Sequence, residues 1–141
     1  MKQHLLMPNW PAPSNVGAAV TLRSGGISGA PYSSNNLALH VGDCEATVLA
    51  NRQTLVCDLN LPSDPLWLEQ VHGTGIIYTP NATGVPRADA SYTDTTHSVC
   101  AVLTADCLPV LLCNRSGTQV AAIHAGWRGL CNGIVRNTVQ T

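Results

Sequence analysis

The sequence predicts an α+β fold, in which neighbouring β-strands form blocks and the helices lie outside them. Two observations indicate this class. The apolar segments 98–104, 108–114 and 118–125 follow one another closely and are typical of three buried strands. Helical spacing of apolar residues occurs mainly before and after these segments, so regular βαβ repeats are not expected. The length of 141 residues fits one domain.

The first half of the chain is predicted to contain a strand, a long loop and a helix. Residues 16–22 form the strand, and residues 23–36, rich in Gly, Ser, Pro and Asn, form the loop. Loops longer than about 12 residues are typically functional or disordered. Residues 37–43 are expected to be extended. Asp43 is the candidate N-cap of a helix that runs to Cys57, because apolar residues follow it at helical spacing.

The second half is predicted to hold most of the sheet and a final helix. Residues 66–73 alternate like a strand, residues 75–79 form a second strand, and residues 81–89 form a loop. The turn at 115–117 joins the last two buried strands. Residues 129–141 have the pattern of one amphipathic helix without a stop signal, so we expect a domain that is incomplete at its C-terminal end.

Charge and hydropathy exclude several classes of partner. Charged residues make up 11% of the chain, below the roughly 25% usual for a soluble domain, which favours an incomplete piece or a covered surface. The net charge of -1 leaves no basic patch for nucleic acid and no polybasic tract for a membrane. No apolar stretch reaches the roughly 20 residues of a membrane span, and no secretory signal is recognisable, so a cytoplasmic protein is predicted.

The cysteines are predicted to be reduced thiols rather than a disulfide framework. They lack C-x-x-C spacing and lie mostly in apolar segments, where cysteine acts as a small hydrophobic residue. We expect most of them to fill the core and at least one to have a further role. The six are Cys44, Cys57, Cys100, Cys107, Cys113 and Cys131.

Three metal-capable side chains stand at the ends of apolar segments, each next to or near a glycine or proline. They are His72, Cys107 and His124. If these segments lie side by side, the two imidazoles and the thiolate meet at one rim of the sheet. Such a set leaves the fourth position of a tetrahedral zinc ion for water, as in catalytic zinc sites. Each residue alone also fits a structural role, as a hydrogen-bonded histidine or an inert buried thiol.

Residues close to these three are candidates for binding and proton transfer. Gly126 permits a tight turn, and Arg128 then lies near the start of a helix, where a forked guanidinium favours phosphate or carboxylate. Asp106 and Asp89 are each a candidate acceptor for a ligand histidine or a general base, with a capped turn as the alternative. The zinc deaminase signature, the common nucleotide-binding glycine motifs, H-E-x-x-H and G-x-S-x-G do not occur.

Seven short motifs together closely resemble one family, in the order in which that family carries them. They are TLRSGGIS, NNLALHVGD, NRQTL, EQVHG, ADA, TADCLPVLL and HAGWRGL. The family is the YfiH type, labelled laccase-domain or multicopper polyphenol oxidoreductase and regarded as purine nucleoside phosphorylases. The resemblance covers nearly the whole chain and implies that residues 1–141 are the N-terminal, larger part of one YfiH-like domain.

The resemblance implies mixed β-sheets flanked by helices, distantly like the catalytic domain of the cytotoxic necrotizing factor toxins. It also implies that His72, Cys107 and His124 hold a zinc ion, with copper as an alternative metal. The implied activity is phosphorolysis of adenosine, inosine, guanosine and methylthioadenosine, together with adenosine deamination. The expected partners are therefore nucleosides and phosphate, and the chain is expected to be a monomer or homodimer.

Residues inside the matching motifs are assigned candidate roles. Cys107, His124 and Asp106 are the candidate catalytic residues. Arg23, Asn36 and Arg128 are the candidate substrate and phosphate ligands.

Three alternative functions remain open from the sequence. The first is a metal-free hydrolase or amidase, acting in peptidoglycan-precursor editing, with Cys107 as nucleophile and a histidine as base. The second is a structural zinc module that needs a fourth ligand, for which Cys100, Cys113 and His97 are candidates. The third is a copper-dependent polyphenol oxidase, which is disfavoured because its copper centres need roughly ten histidines and the chain has five.

Overall fold

The computed structural model describes residues 4–141. Contacts divide them into two compact units, residues 4–11 with Gly17–Leu61 and Ala12–Val16 with Pro62–Thr141. The elements are β1 (Leu5–Leu6), β2 (Val20–Thr21), α1 (Glu45–Leu59), β3 (Ile76–Tyr78), a 3-10 turn (Thr79–Asn81), β4 (Ala90–Thr93), β5 (Leu108–Cys113), β6 (Val120–Ala125), α2 (Trp127–Asn132) and α3 (Ile134–Gln140). Strands and helices occupy separate stretches, so the predicted α+β class is confirmed. That residues 1–141 form one domain stays a prediction.

The first unit joins a two-stranded antiparallel sheet to α1. Strands β1 and β2 pair through Leu5 opposite Thr21 and Leu6 opposite Val20. The strand predicted for 16–22 is therefore limited to two residues, and residues 37–43 form no strand. The loop predicted for 23–36 is confirmed, since it contains neither helix nor strand.

The helix α1 begins one residue later than an Asp43 cap would place it. Its N-cap is Cys44, and Asp43 instead accepts hydrogen bonds from the Cys44 backbone N–H at 2.8 Å, the Ser28 hydroxyl at 2.7 Å and the Asn36 amide at 3.0 Å. These bonds lower the pKa of Asp43, first through Asn36 and then through Ser28, against a smaller opposing effect of burial. Asp43 thus anchors the loop in front of the helix.

Asn51 connects α1 to that same loop. Its side chain is buried, and its oxygen accepts a hydrogen bond from the Ile27 N–H at 2.9 Å. Its amide nitrogen donates to the Ser28 hydroxyl at 3.0 Å and to the Asn36 carbonyl at 2.9 Å. Because buried polar groups are costly without partners, these bonds hold a loop that has no secondary structure of its own.

The second unit is built on a four-stranded mixed sheet with the order β3-β4-β6-β5. Strands β3 and β4 are parallel, whereas β4 with β6 and β5 with β6 are antiparallel. Helices α2 and α3 follow β6, and Ile134 of α3 is fully buried with Ala90, Ile123 and Ala125. The predicted mixed sheet with helices is therefore present in this unit.

Several predicted elements of this unit are wrong. Residues 98–104 form no strand and contribute only a bridge from Cys100 to Leu66, while the central strand β4 was not predicted. Residues 66–73 make isolated bridges rather than a strand. The single predicted C-terminal helix is two helices, because Gly133 adopts a left-handed conformation with φ 92° between them.

The cysteines are all free, as predicted, but fewer of them fill the core than expected. Cys44, Cys57 and Cys131 are exposed, and the remaining three are partly buried. Cys44 is the N-cap of α1, Cys57 lies in the last turn of α1 and Cys131 lies in α2. Among the helices of residues 4–141, none is both long and apolar enough to cross a membrane.

Candidate metal centre

His72, Cys107 and His124 converge at one place in the second unit. One ligand atom of each lies within 4.8 Å of the others. The Cys107 sulfur is 3.7 Å from Nε2 of His72, and the two imidazole rings meet edge to face with centroids 4.7 Å apart. The predicted convergence of these three side chains is present in the structure.

Two of the three residues are placed by the antiparallel pair β5 and β6. His124 lies near the end of β6 opposite Pro109, and Cys107 immediately precedes β5. In an antiparallel pair, the start of one strand lies beside the end of its neighbour, so the thiol and the imidazole are brought together. Strand ends therefore bring this pair together, but Cys107 stands at the start of β5 and not, as predicted, at the end of the apolar segment 98–104, which forms no strand.

His72 reaches the site from a loop, not from a strand end as predicted. It lies between the bridge at Glu69 and β3, and its backbone is left-handed with φ 59°. Non-glycine residues rarely adopt this conformation without support from their surroundings. The imidazole is exposed, whereas His124 is only 3% exposed. The group is therefore open to solvent on the His72 side.

The support for His72 comes from the fully buried carboxylate of Asp89. Asp89 accepts hydrogen bonds from three successive backbone N–H groups: Val71 at 3.2 Å, His72 at 2.9 Å and Gly73 at 2.8 Å. It also accepts a bond of 2.8 Å from Nδ1 of His124. Two roles were predicted for Asp89 besides a capped turn: general base and acceptor for a ligand histidine. Its hydrogen bond with His124 supports the second role.

These hydrogen bonds keep Asp89 ionised. Burial acts to raise its pKa, but the bonds from His124, Gly73, Val71 and His72 together outweigh that effect and lower the pKa of the carboxyl. An ionised carboxylate only accepts hydrogen bonds, so His124 carries a proton on Nδ1. Its Nε2 is then the nitrogen with a lone pair available to a metal.

Glycine suits position 126 because the backbone there passes close to the His72 and Cys107 side chains. A Cβ atom at this position would lie 2.9 Å from Cδ2 of His72 and 3.1 Å from the Cys107 sulfur. Its φ of -67° is open to any residue, so contact rather than backbone conformation excludes a side chain there. The predicted close turn at Gly126 is confirmed.

The Cys107 thiol is held in its neutral form while no cation is near. Burial raises its pKa, and the carboxylates of Asp106 and Asp89 raise it further. A divalent cation reverses this balance, because it deprotonates a coordinating thiol outright. The same negative surroundings that disfavour a free thiolate therefore favour a bound cation.

The donor set fits a zinc ion, and one of its ligand separations matches zinc geometry. Zinc bonds of about 2.3 Å to sulfur and about 2.05 Å to nitrogen at tetrahedral angles place the two ligand atoms about 3.6 Å apart. The observed sulfur-to-Nε2 separation of 3.7 Å agrees with this value. A copper ion also accepts two imidazoles and one thiolate.

The candidate fourth ligands do not join the group. Within residues 4–141 the metal-capable cluster consists of His72, Cys107 and His124 alone. Cys100 instead lies 3.4 Å from the Thr79 hydroxyl. Three ligands with an exposed side are the arrangement of catalytic rather than structural zinc sites.

Two of the other predicted residues belong to the same unit. Asp106 is exposed, and its Oδ1 lies 3.7 Å from the Cys107 sulfur. Arg128 is exposed, and its guanidinium carbon lies 4.7 Å from the centre of the Trp127 ring. Helix α2 has only six residues, so the helix-terminus argument for an anion at Arg128 is weaker than predicted.

Arg23 and Asn36 belong to the first unit, where their polar groups have partners. The Arg23 guanidinium donates to the carbonyls of Ser33 at 2.8 Å and Pro31 at 3.0 Å. Asn36 donates to Asp43 and accepts the Ala38 N–H at 3.0 Å. Their roles in substrate binding stay predictions.

The sequence reasoning missed the backbone donors of Val71 and Gly73 and the anchoring role of Asn51. The bonds to Asp89 come from the main chain of a loop, and main-chain geometry leaves no trace in hydrophobic periodicity. A glycine directly after a metal-capable histidine was the available signal for the turn. For Asn51, the signal was a polar residue beside Val48 on the inward side of α1.

Comparison with known proteins agrees with the motifs and the fold. Residues 17–141 match the family model described as multi-copper polyphenol oxidoreductase laccase. The chain is 55% identical over 140 residues to "Purine nucleoside phosphorylase YfiH" of Escherichia coli (strain K12), covering 96% of this chain and 56% of that protein. It is 50% identical over 133 residues to a purine nucleoside phosphorylase of Haemophilus influenzae, covering 94% and 54%.

Comparison with solved structures shows the same fold in two further proteins. The chain superposes on Neisseria meningitidis protein NMB0706 with a TM-score of 0.93 and 47% identity, covering 98% of this chain and 57% of that one. It superposes on YlmD from Geobacillus stearothermophilus with a TM-score of 0.90 and 33% identity, covering 99% and 56%. The chain thus spans about half the length of these relatives. By sequence, motif order and fold, it belongs to the YfiH-type family described as multi-copper polyphenol oxidoreductase laccase.

Proposed function

We propose that this chain carries the metal centre of a zinc-dependent purine nucleoside phosphorylase, a transferase that also deaminates adenosine. The observation that carries the proposal is the convergence of His72, Cys107 and His124 on an exposed, three-ligand group. The names of relatives such as the Escherichia coli protein supply the reaction class. The substrates are then a purine nucleoside and phosphate, and a cytoplasmic location fits the free thiols.

In this proposal His72, Cys107 and His124 hold the metal. Other side chains bind the substrates and transfer a proton. A bound zinc ion supplies Lewis-acid chemistry at the open side of the group. Arg128 binds phosphate through its forked donors and orients it toward the anomeric carbon. Asp106, whose Oδ1 lies 3.7 Å from the Cys107 sulfur, is proposed to relay a proton from solvent to the departing base. Arg23 and Asn36 are proposed to contact the nucleoside.

Electrostatics argues against the metal-free cysteine alternative. A cysteine nucleophile needs a lowered thiol pKa or a base that removes the proton. Burial and two carboxylates raise the pKa of Cys107, so without a cation the thiol stays protonated. The three-member group, with five histidines in the chain, likewise supports one metal site rather than the several copper centres of a laccase.

The test is product analysis with and without phosphate. The chain is loaded with zinc and incubated with adenosine, with the Escherichia coli relative run in parallel to verify the assay. Phosphorolysis releases adenine only when phosphate is present, whereas deamination releases inosine in its absence. Cys107→Ala should reduce both products to background, and Cys131→Ala, which removes an exposed thiol in α2, should leave them unchanged.

Two results would contradict the proposal. Normal turnover by folded Cys107→Ala would exclude a role for the metal group in the reaction. Adenine release that does not depend on phosphate would indicate hydrolysis instead. For the role of Arg128, Arg128→Gln should raise the KM for phosphate more than the KM for adenosine.

A further inference from the structure

We propose that Asp89 is the positioning residue of the metal centre, because one carboxylate sets the tautomer of His124 and holds the turn that carries His72. The inference deepens the proposed function and rests on it for the identity of the metal. It concerns two contacts of different kinds, a side-chain bond to one histidine and backbone bonds around the other.

The first contact defines which nitrogen of His124 faces the metal group. Asp89 and His124 are both buried, and Oδ1 of the carboxylate lies 2.8 Å from Nδ1 of the ring. The backbone N–H of His124 also donates to the Asp89 carbonyl at 2.7 Å. Main chain and side chain thus hold the ring in one orientation, with Nε2 left for a cation.

The second contact supports an unfavourable backbone conformation. His72 has φ 59°, and the N–H groups of Val71, His72 and Gly73 all point at the same carboxylate. Successive N–H groups that surround an anion form a nest, and here the anion belongs to the protein itself. Without it, the left-handed turn would lose three hydrogen bonds made to a charged acceptor.

The two contacts share one oxygen atom. Oδ1 of Asp89 accepts from both the His124 ring and the His72 N–H, while Oδ2 accepts from Val71 and Gly73. A displacement of this carboxylate therefore moves both histidines. It is in this sense that Asp89 preorganises the group before a metal arrives.

The isosteric substitution Asp89→Asn tests this coupling, because either orientation of the new amide disrupts one of the two contacts. If its oxygen replaces Oδ1, the NH₂ group faces the N–H donors of Val71 and Gly73. If its oxygen replaces Oδ2, the NH₂ group faces the His72 N–H and requires Nδ1 of His124 to accept. In that case the ring proton moves to Nε2, the nitrogen that a metal needs.

The experiment measures zinc affinity by competition with a chromophoric chelator and records the cobalt(II) absorption spectrum, on folded protein verified by circular dichroism. Asp89→Asn is expected to weaken zinc binding 10–100-fold, the usual effect of losing such an outer partner, and to alter the cobalt spectrum. The matched control is Asp94→Asn, an exposed carboxylate just beyond β4 that accepts from Tyr78 at 2.6 Å. It should bind zinc like the wild type.

The outcomes separate this inference from the proposed function. Wild-type affinity and spectrum in folded Asp89→Asn would overturn the positioning role and leave the zinc proposal standing. Failure of the wild-type chain to bind zinc would overturn both. If Asp89→Asn does not fold, ¹⁵N NMR of the metal-free wild type decides, because the role requires His124 to be protonated on Nδ1 and bare on Nε2. A proton on Nε2 at neutral pH would overturn it.

Discussion

Nδ1 of His124 lies 2.8 Å from Oδ1 of Asp89, and both side chains are buried in the second unit. This hydrogen bond holds Nδ1 of the ring against Asp89 and leaves Nε2 for the metal group formed with Cys107 and His72. It also places a buried negative charge next to the metal group, which a cation would partly neutralise. The same carboxylate therefore affects the stability of the metal-free protein as well as its affinity for a metal.

The metal-free protein should lose stability in acid through Asp89. Its pKa is lower in the folded than in the unfolded chain, so its stabilising effect is complete above the unfolded value near 3.8 and disappears as pH falls through the lower folded value. The free energy of unfolding in urea, measured with a chelator present, should therefore decline less steeply below about pH 4 in Asp89→Asn than in the wild type.

Glu69→Gln is the control for that measurement. The pKa of Glu69 is also lowered, through its hydrogen bond and ion pair with Arg87, but both side chains are largely exposed. Exposed pairs contribute little to stability, so this variant should keep the acid dependence of the wild type. Identical acid slopes for Asp89→Asn and the wild type would show that the buried carboxylate does not stabilise the fold.

Gly126→Ala should impair metal binding by contact alone. The added Cβ would lie 2.9 Å from His72 and 3.1 Å from the Cys107 sulfur, and the backbone conformation of Gly126 tolerates alanine. Either the ring and the thiol separate or the backbone shifts, which costs about 1–3 kcal/mol for overpacking of this kind. We expect zinc affinity to fall at least tenfold in the chelator competition assay.

Gly29→Ala provides the matched comparison, because a Cβ atom at Gly29 meets no other heavy atom within 4 Å. This variant should retain wild-type zinc affinity and unfolding free energy. Equal zinc affinity in Gly126→Ala would mean that the metal ligands can move apart without loss, and that the close approach of the backbone is not needed.

The part of the site that the sequence predicted is the part that depends on strand pairing. Cys107 stands directly before the apolar segment 108–114, and His124 lies near the end of the segment 118–125. These two segments are neighbours in sequence and pair, so the start of one meets the end of the other. His72 was predicted from the same pattern, but it reaches the group through a left-handed loop turn. Such a turn depends on a distant acceptor, Asp89, and no local spacing reports a contact across 17 residues.

The sheet shows the same division between local and distant causes. Strands β5 and β6 were predicted because their apolar runs are long, whereas β4 (Ala90–Thr93) is short and built mainly from small or polar residues. It becomes the centre of the sheet through pairing with both β3 and β6. Residues 98–104 are apolar enough for a strand but pair only at Cys100. Tertiary pairing overrides β-propensity in both cases.

Asn51→Ala should destabilise the first unit strongly. It removes the acceptor of the Ile27 N–H and the donor to the Ser28 hydroxyl and Asn36 carbonyl, all from a buried position. Unsatisfied buried groups cost about 1–3 kcal/mol each, less where water enters, so we expect a loss of about 2–4 kcal/mol in urea unfolding. Gln53→Ala, on the exposed side of α1, should change stability by less than about 0.5 kcal/mol.

Alkylation should distinguish Cys107 from Cys44 in the metal-free chain. The Thr47 N–H and side chain, with the Ala46 N–H, lower the pKa of Cys44 at the start of α1, whereas burial and two carboxylates raise the pKa of Cys107. At pH 7.5 Cys44 therefore holds more of the reactive thiolate. With iodoacetamide and a chelator present, peptide mapping by mass spectrometry should show Cys44 modified several-fold faster than Cys107. If Cys107 reacted first, it would instead be an activated nucleophile. That result would support the metal-free hydrolase with Cys107 as nucleophile.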